Sequence, residues 1–393
     1  MREPTGRRPR TLRAEISPEL WDWAIRRAGK LEGELRRRFP KLDAWRNGQA
    51  KPTLKQVEAF AEAARVPLGY LFLSRAPEEK LPIPDLRTVS SRGVHRPSPD
   101  LLDTIYLCQR RQEWYKEYAQ AAGEEPRAFV GAMALRSKPG EAANAMRCDL
   151  GLDTDLHAQC RTWQEAIRLL IEKAEEAGVL VMVSGVVGTN NRRPLSPEEF
   201  RGFALVDRWA PLIFINGADS RAAQMFTLAH ELAHIWLGKS ALSDASPAVF
   251  PTQEVERWCN AVAAEFLVPA AELHDRLASA RSPEVLEELE ELVRYFKVSK
   301  LVILRRLLDT HVISRSQFRA AYTAELARLK KWTPKRGGHF YRTHLLRVGR
   351  RFAHAVIRST AGSQTLLRDA LRMLGLSNLR TLRSLAQQID LSL

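Results

Sequence analysis

The segment His230-Glu231-Leu-Ala-His234 constrains this chain more than any other feature. On an α-helix, two histidines four residues apart lie on one face, about 40° apart, so both imidazoles can reach one metal ion. Glu231 then lies beside that ion, where it can take a proton from water. The flanking residues make the helix apolar nearly all round, which predicts a buried helix. Because buried ionisable groups need partners, the pattern favours a metal site over two core histidines that meet by chance.

A third ligand is expected a short way downstream, because catalytic zinc usually has three protein ligands and one open position. A second predicted helix carries three candidate carboxylates, Glu254, Glu256 and Glu265. At about 100° per residue, Glu256 lies on a small, mostly apolar face, whereas Glu254 and Glu265 fall roughly opposite. The phasing favours Glu256 as the ligand and leaves the other two as alternatives.

Two neighbours of Glu256 have different predicted roles. Asn260 is one helical turn further on, where its side chain can hydrogen-bond a ligand histidine and hold its tautomer. Cys259 could be a soft ligand, but it points away from Glu256, and we interpret it as a core residue.

The two helices together resemble the ImmA/IrrE metallopeptidases. The family pattern is His-Glu-x-x-His followed by Glu-x-x-Ala-Asn-x-Phe-Ala-x-x-Leu-Leu-x-Pro, and the chain reads Phe226-Thr-Leu-Ala-His-Glu-Leu-Ala-His and Glu256-Arg-Trp-Cys-Asn-Ala-Val-Ala-Ala-Glu-Phe-Leu-Val-Pro. The resemblance covers roughly residues 160–330, with two predicted strands at 202–206 and 211–216 before the active helix. It departs at Cys259 and Val262, both packing positions. The resemblance implies zinc ligands at His230, His234 and Glu256, and a catalytic base at Glu231.

The resemblance further implies a zinc protease that cleaves a helix-turn-helix repressor and so switches genes on. In that mechanism Glu231 takes a proton from water and later delivers it to the leaving amine. The competing interpretation is a DNA-binding regulator or antitoxin with a structural zinc site. A His-His-Glu site with a retained Glu231 argues against it, since a purely structural site needs no base and usually has four protein ligands. No oxyanion-stabilising residue is assigned; the candidates are His311, Tyr322, His339 and Tyr341.

Residues 16–76 are predicted to form four or five short helices that resemble the phage-repressor class of helix-turn-helix domains. The resemblance rests on Trp45-Arg-Asn-Gly48-Gln-Ala-Lys-Pro52-Thr. Such domains place their second motif helix in the major groove. A degenerate module that binds protein remains the alternative, as does a domain that recruits the peptidase to its repressor or to DNA. The residues that could contact DNA phosphates are Lys41, Arg46, Arg36, Arg37 and Arg38.

The whole chain is predicted to be mainly α with a small β-sheet (α+β), a zincin-like core flanked by helical domains resembling helix-turn-helix modules. The other predicted boundaries are a basic tail at 1–15, a Pro-rich linker at 77–100, a helical connector at 101–160, the metallopeptidase domain at 161–275, a helix-turn-helix-like segment at 276–331 and a basic helical region at 332–393.

Composition points to a cytoplasmic protein. No apolar run is close to the length of about 18 residues that a membrane span needs. The basic N-terminus is not followed by the apolar segment that a signal peptide requires. The four cysteines lack any Cys-x-x-Cys spacing and are interpreted as free thiols. Residues 292–393 hold 21 Lys and Arg against four Asp and Glu, a net charge of +17. An anionic partner such as DNA and a merely solvated basic surface are both compatible with that charge.

Overall fold

The structure, a computed structural model, describes residues 12–28, 32–86, 97–152, 160–243, 253–279, 285–329 and 340–391. The described residues fall into two compact units, 12–81 with 97–102 and 82–86 with 103–391. Most of the predicted basic tail, part of the Pro-rich linker (87–96) and residues 332–339 of the predicted basic helical region lie outside the described residues. No described helix is both long enough and apolar enough to cross a membrane.

The first unit is helical. Its helices are α1 (Pro18–Ala28), α2 (Glu32–Arg38), α3 (Leu42–Arg46), α4 (Leu54–Ala64) and a 3-10 helix at Leu68–Phe72. The core is aromatic: Trp21 packs edge-on against Phe60, with ring centroids 4.8 Å apart, and Phe39 packs against the same ring. Thr53 begins α4 with a capping box, because its hydroxyl accepts from the backbone N–H of Gln56 while the Gln56 side chain accepts from that of Thr53.

The second unit combines many helices with one sheet. Its first helix, α5, begins in the residues of the first unit. The helices are α5 (Pro99–Ala121), α6 (Pro139–Asp149), α7 (Trp163–Ala177), α8 (Arg221–Leu237), α9 (Glu254–Leu267), α10 (Ala270–Ala278), α11 (Leu289–Phe296), α12 (Lys300–Asp309), α13 (Arg315–Leu329), α14 (Phe340–Val348), α15 (Arg350–Ala361), α16 (Leu367–Leu374) and α17 (Leu379–Gln387).

The sheet has four strands in the order β1-β3-β2-β4. The strands are β1 (Leu180–Ser184), β2 (Gly202–Leu205), β3 (Leu212–Asn216) and β4 (Ala241–Ser243). Strand β3 pairs in parallel with β1 and antiparallel with β2, which in turn pairs antiparallel with β4. Every residue of the four strands is buried, as expected for short apolar runs that are covered on both faces. The predicted fold class, mainly helical with a small sheet, is therefore confirmed.

Helix α8 lies at the centre of this unit and packs against β2, β3, α7 and α9. Within the predicted helical connector (101–160), the short segment 129–135 contains turns and no helix. Gly131 there has a φ of +73°. Its N–H donates to the carbonyl of Ile235, and that of Met133 donates to the carbonyl of Trp236. The bond from Met133 thus satisfies the Trp236 carbonyl at the end of α8, whereas the Ile235 carbonyl also accepts from the N–H of Gly238.

Candidate metal centre

Helix α8 carries His230, Glu231 and His234, and both of its ends have local signals in the sequence. Ser220 begins the helix by accepting a hydrogen bond from the N–H of Ala223, and Gly238 ends it with a φ of +72°. Between them, all but one residue from Ala222 to Leu237 are buried. The predicted buried helix is present, and its three ionisable side chains are fully inaccessible to solvent.

Helix α9 places Glu256 against this trio. The Glu256 Oε1 atom is 3.1 Å from His234 Nε2, and its Oε2 atom is 3.3 Å from His230 Nε2. The alternative carboxylates lie elsewhere: Glu254 is exposed, and Glu265 forms an ion pair with Arg306. His230, His234 and Glu256 are the group of potential metal ligands found among the described residues, and one ligand atom from each lies within 4.8 Å of the others.

The hydrogen bond behind His230 determines how its ring faces the cluster. Asn260 Oδ1 lies 2.9 Å from His230 Nδ1. Because an amide oxygen only accepts, Nδ1 carries the proton, and the Nε2 of the neutral ring presents a lone pair to the cluster. Asn260 thus lies behind His230, and its role in holding a metal ligand stays a prediction.

The donor set fits a tetrahedral zinc ion. The two Nε2 atoms are 3.1 Å apart, so two imidazole nitrogens and a carboxylate converge on one point. Zinc bonds to nitrogen and carboxylate oxygen of about 2.0–2.1 Å place ligand atoms about 3.3–3.4 Å apart at a tetrahedral angle. The observed separations of 3.1–3.3 Å are close to that value. Imidazole and carboxylate are the ligand types of catalytic zinc sites with an open position.

Glu231 is fully buried, and neither of its carboxylate oxygens has a hydrogen-bond partner among the described residues. Strand β2 makes room for it at Gly202. A Cβ atom there would lie 3.1 Å from Glu231 Oε1, 2.6 Å from Thr227 Cγ2 and 2.9 Å from the carbonyl oxygen of Phe214. Glycine is therefore required where β2 passes over the carboxylate. Sequence reasoning missed this residue, since a glycine at the start of a strand has many explanations.

Burial and proximity push the pKa values of the two glutamates apart. Burial raises the pKa of Glu231 to about 8. Burial also disfavours the charged form of Glu256, but the two histidines outweigh it and lower its pKa to about 2. Burial lowers the pKa of His234, whereas at His230 the Glu256 carboxylate more than offsets burial and the pKa is raised. Carboxyl groups with divergent pKa values are typical of sites in which one group stays ionised as a ligand and the other moves a proton.

Ser243 is a further polar group at the centre that the sequence did not reveal. Its hydroxyl lies 3.3 Å from His234 Nε2 and 3.5 Å from Glu256 Oε1. It belongs to β4, where it pairs with Gly202 of β2, so two adjacent positions of the sheet border the cluster. No strand was predicted here, because three residues are too few to show a period.

The outer edge of β4 is paired with a segment from far upstream, which we name the edge segment (residues 82–86). Leu242 donates its N–H to the carbonyl of Pro84, at 2.9 Å, and accepts from the N–H of Leu86, at 3.1 Å. The bridge is parallel, and the side chain of Ile83 is buried. The edge segment thus extends the sheet beside the strand that carries Ser243.

The five residues predicted to contact DNA phosphates lie in the first unit. Arg36 is in ion pairs with Glu32 and Asp43, and Arg46 with Asp22, so part of their charge is neutralised locally. The other three are exposed. Arg37 bonds the carbonyl of Gly33, Arg38 lies over the ring of Phe39, and Lys41 precedes α3.

Of the candidates for an oxyanion-stabilising group, His311 lies in an exposed turn after α12. Tyr322 stacks on Phe318 within α13. His339 and the side chain of Tyr341 lie outside the described residues.

Two family models match parts of the chain. Residues 174–308 match the IrrE N-terminal-like domain (Peptidase_M78), and this match contains the three potential metal ligands together with Glu231 and Asn260. It supports a function of the metallopeptidase type. Residues 348–388 match a domain of unknown function (DUF8813). No curated protein matches the chain.

Proposed function

We propose that this chain is a zinc-dependent endopeptidase that hydrolyses a peptide bond in a protein partner, and that the partner is a helix-turn-helix repressor whose cleavage changes gene expression. The observation that carries the proposal is the convergence of His230 Nε2, His234 Nε2 and the Glu256 carboxylate beside an unpartnered Glu231. A purely structural zinc site would usually have four protein ligands and no adjacent base.

His230, His234 and Glu256 would hold the ion, with Asn260 fixing the ring of His230. Zinc bound there supplies a Lewis acid, which polarises a peptide carbonyl and lowers the pKa of water. Glu231 moves the proton: it takes one from the attacking water and gives it to the nitrogen of the leaving amine. Its buried position keeps solvent away from the carboxylate.

The sheet supplies a place for an extended substrate. Peptides commonly bind proteases and other partners by adding a strand to a sheet edge. The edge of β4 borders the cluster through Ser243, and the edge segment now pairs with it. We propose that a substrate strand reaches the centre by replacing residues 84–86 at this edge.

The test compares the wild type with Glu231→Gln, which keeps the size of the side chain but cannot accept a proton. Purified helix-turn-helix repressors, beginning with any that is encoded beside this gene, are incubated with the zinc-loaded protein, and fragments are identified by mass spectrometry. We expect specific cleavage by the wild type and a rate about 10²–10⁴-fold lower in the variant, the usual contribution of a general base. Zinc content is measured alongside and should be unchanged.

Glu254→Gln is the matched control, because it makes the same change at an exposed position of α9. It should cleave at the wild-type rate. Full activity of Glu231→Gln would contradict the role of Glu231, and a wild-type protein that cleaves neither the repressor nor any other protein offered would contradict the proposal as a whole.

A further inference from the structure

The C-terminal helices α16 and α17 form a compact helical pair that the metal centre does not use. Helix α16 has eight residues, α17 has nine, and four residues connect them. Gly375 ends α16 with a φ of +66°, and Asn378 caps α17 by accepting from the N–H of Thr381. Two short helices joined by a three- or four-residue turn containing glycine are the arrangement of a helix-turn-helix.

Each of the two helices buries apolar residues at helical spacing. Ala370 and Leu374 lie one turn apart on α16, and Leu382 and Leu385 lie three apart on α17; all four are inaccessible to solvent. The spacing leaves the opposite face of each helix outside the core. The pair lies within residues 348–388, to which the family comparison assigns no function.

The end of α16 is fastened to the rest of the unit. His344 Nε2 lies 2.9 Å from the carbonyl oxygen of Leu374, and the buried Arg111 donates to the carbonyl of Met373 at 3.2 Å. These bonds satisfy carbonyls at the C-terminus of α16, where the last turn of a helix has no backbone N–H groups of its own to pair with them. The C-terminal end of α16 is therefore anchored, and the outer face of α17 stays exposed.

That outer face is basic and polar. Arg380, Arg383 and Gln387 are exposed, and their spacing of three and seven residues keeps them within an arc of about 60°. Helix α17 contains no acidic residue. Within the described residues neither Arg380 nor Arg383 is in an ion pair, and Thr381 and Ser384 lie half-buried beside them.

The surrounding domain has the same sign of charge. Residues 348–388 contain seven arginines, no lysine and one acidic residue, Asp369, a net charge of +6. A surface that served only solubility could use lysine equally well. Guanidinium groups bind phosphates, and the edge of guanine, through two parallel hydrogen bonds.

We propose that residues 367–388 bind duplex DNA and that α17 is the helix that enters the major groove. Arg380 and Arg383 face the bases and phosphates there, and Gln387 lies one turn further along the same face. A helix-turn-helix positions its second helix in the major groove in this way, with the N-terminal part of that helix contacting base edges. The site is separate from the metal centre, so this inference holds whether or not the chain is a peptidase.

The experiment measures binding of the full chain to a fluorescent duplex of about 25 base pairs, just over two helical turns, by anisotropy across a series of salt concentrations. The variant is Arg380→Gln/Arg383→Gln, which keeps two polar side chains and removes two charges. We expect its Kd to rise at least about tenfold. The slope of log Kd against log salt concentration should fall by about one to two, because about one to two fewer counterions are released on binding.

Arg161→Gln/Arg168→Gln is the matched control, because it also removes two exposed arginines, one just before α7 and one on it. Its Kd should stay within about twofold of the wild type. Circular dichroism confirms that each variant folds, and a single Arg383→Gln variant should give an intermediate Kd. Equal affinity of the α17 variant and the wild type would overturn the proposal and place any DNA elsewhere on the chain. Failure of the wild type to bind duplex DNA, or equally tight binding of single-stranded RNA, would also overturn it.

Discussion

Asn260 offers a sharp test of the metal centre, because its contribution can be separated from that of the ligands. Its side chain is buried, and its Oδ1 atom accepts from His230 Nδ1–H at 2.9 Å. Asn260→Ala removes the acceptor and leaves a buried N–H without a partner. Such an orphaned donor costs about 1–3 kcal/mol. The ring of His230 also becomes free to rotate and to change its tautomer.

The expected consequence is weaker metal binding with the three ligands intact. Removing the hydrogen-bond partner of a ligand histidine typically lowers metal affinity about 10–100-fold. That range corresponds to about 1.4–2.7 kcal/mol, which agrees with the cost of the orphaned donor. The ligand variants His230→Ala, His234→Ala and Glu256→Ala remove a bond to the metal and should lose far more.

Zinc affinity is measured by competition with a chromophoric chelator on metal-free protein. Asn260→Asp is the control, because it restores an acceptor at the same place and should bind zinc at least as tightly as the wild type. Asn260→Ala with wild-type affinity would refute the argument that this hydrogen bond positions the ring. Full zinc occupancy in Glu256→Ala would refute the choice of third ligand.

Three further predictions follow from other parts of the second unit. Gly202→Ala should abolish cleavage or unfold the protein, since its methyl group would overlap neighbouring atoms at 2.6 and 2.9 Å; thermal melting and activity together test this, and a fully active, stable variant would contradict it. Leu86→Pro removes the N–H that Leu242 accepts, so the edge segment should release more readily and cleavage should accelerate; an unchanged rate would argue that the segment does not compete with substrate. Burial raises the pKa of the Glu175 carboxyl to about 7, from about 4.5 in the unfolded chain. The stability that the protonated carboxyl contributes is fully present below pH 4.5 and is lost as the pH rises through 7. The loss in the free energy of unfolding is at most about 3 kcal/mol. Glu175→Gln, which can still accept from the N–H of Arg351, should flatten the fall in melting temperature between pH 5 and 8, and an equally steep fall in the variant would show that another group causes it.

Much of the fold and the centre was predictable because each feature depended on short-range spacing. The four-residue separation of His230 and His234 follows from the helical repeat, and so does the choice of Glu256 over Glu254. Strands β2 and β3 were predicted from apolar runs, whereas β4, with three residues, was too short to predict. The resemblance to a known family added the ligand roles and the expected substrate, which helical phasing alone does not provide.

The amino-acid order therefore specified that His230 and His234 could share a metal ion, since residues within one or two turns of a helix have nearly fixed relative positions, whereas the packing of α9 on α8 brought Glu256 to them. Only the folded chain decided what surrounds them. Gly202 and Ser243 border the centre because β2 and β4 are adjacent in the sheet, and the edge segment pairs with β4 from more than a hundred residues away. Contacts between distant segments depend on how whole elements pack, and no local period in the sequence records that packing.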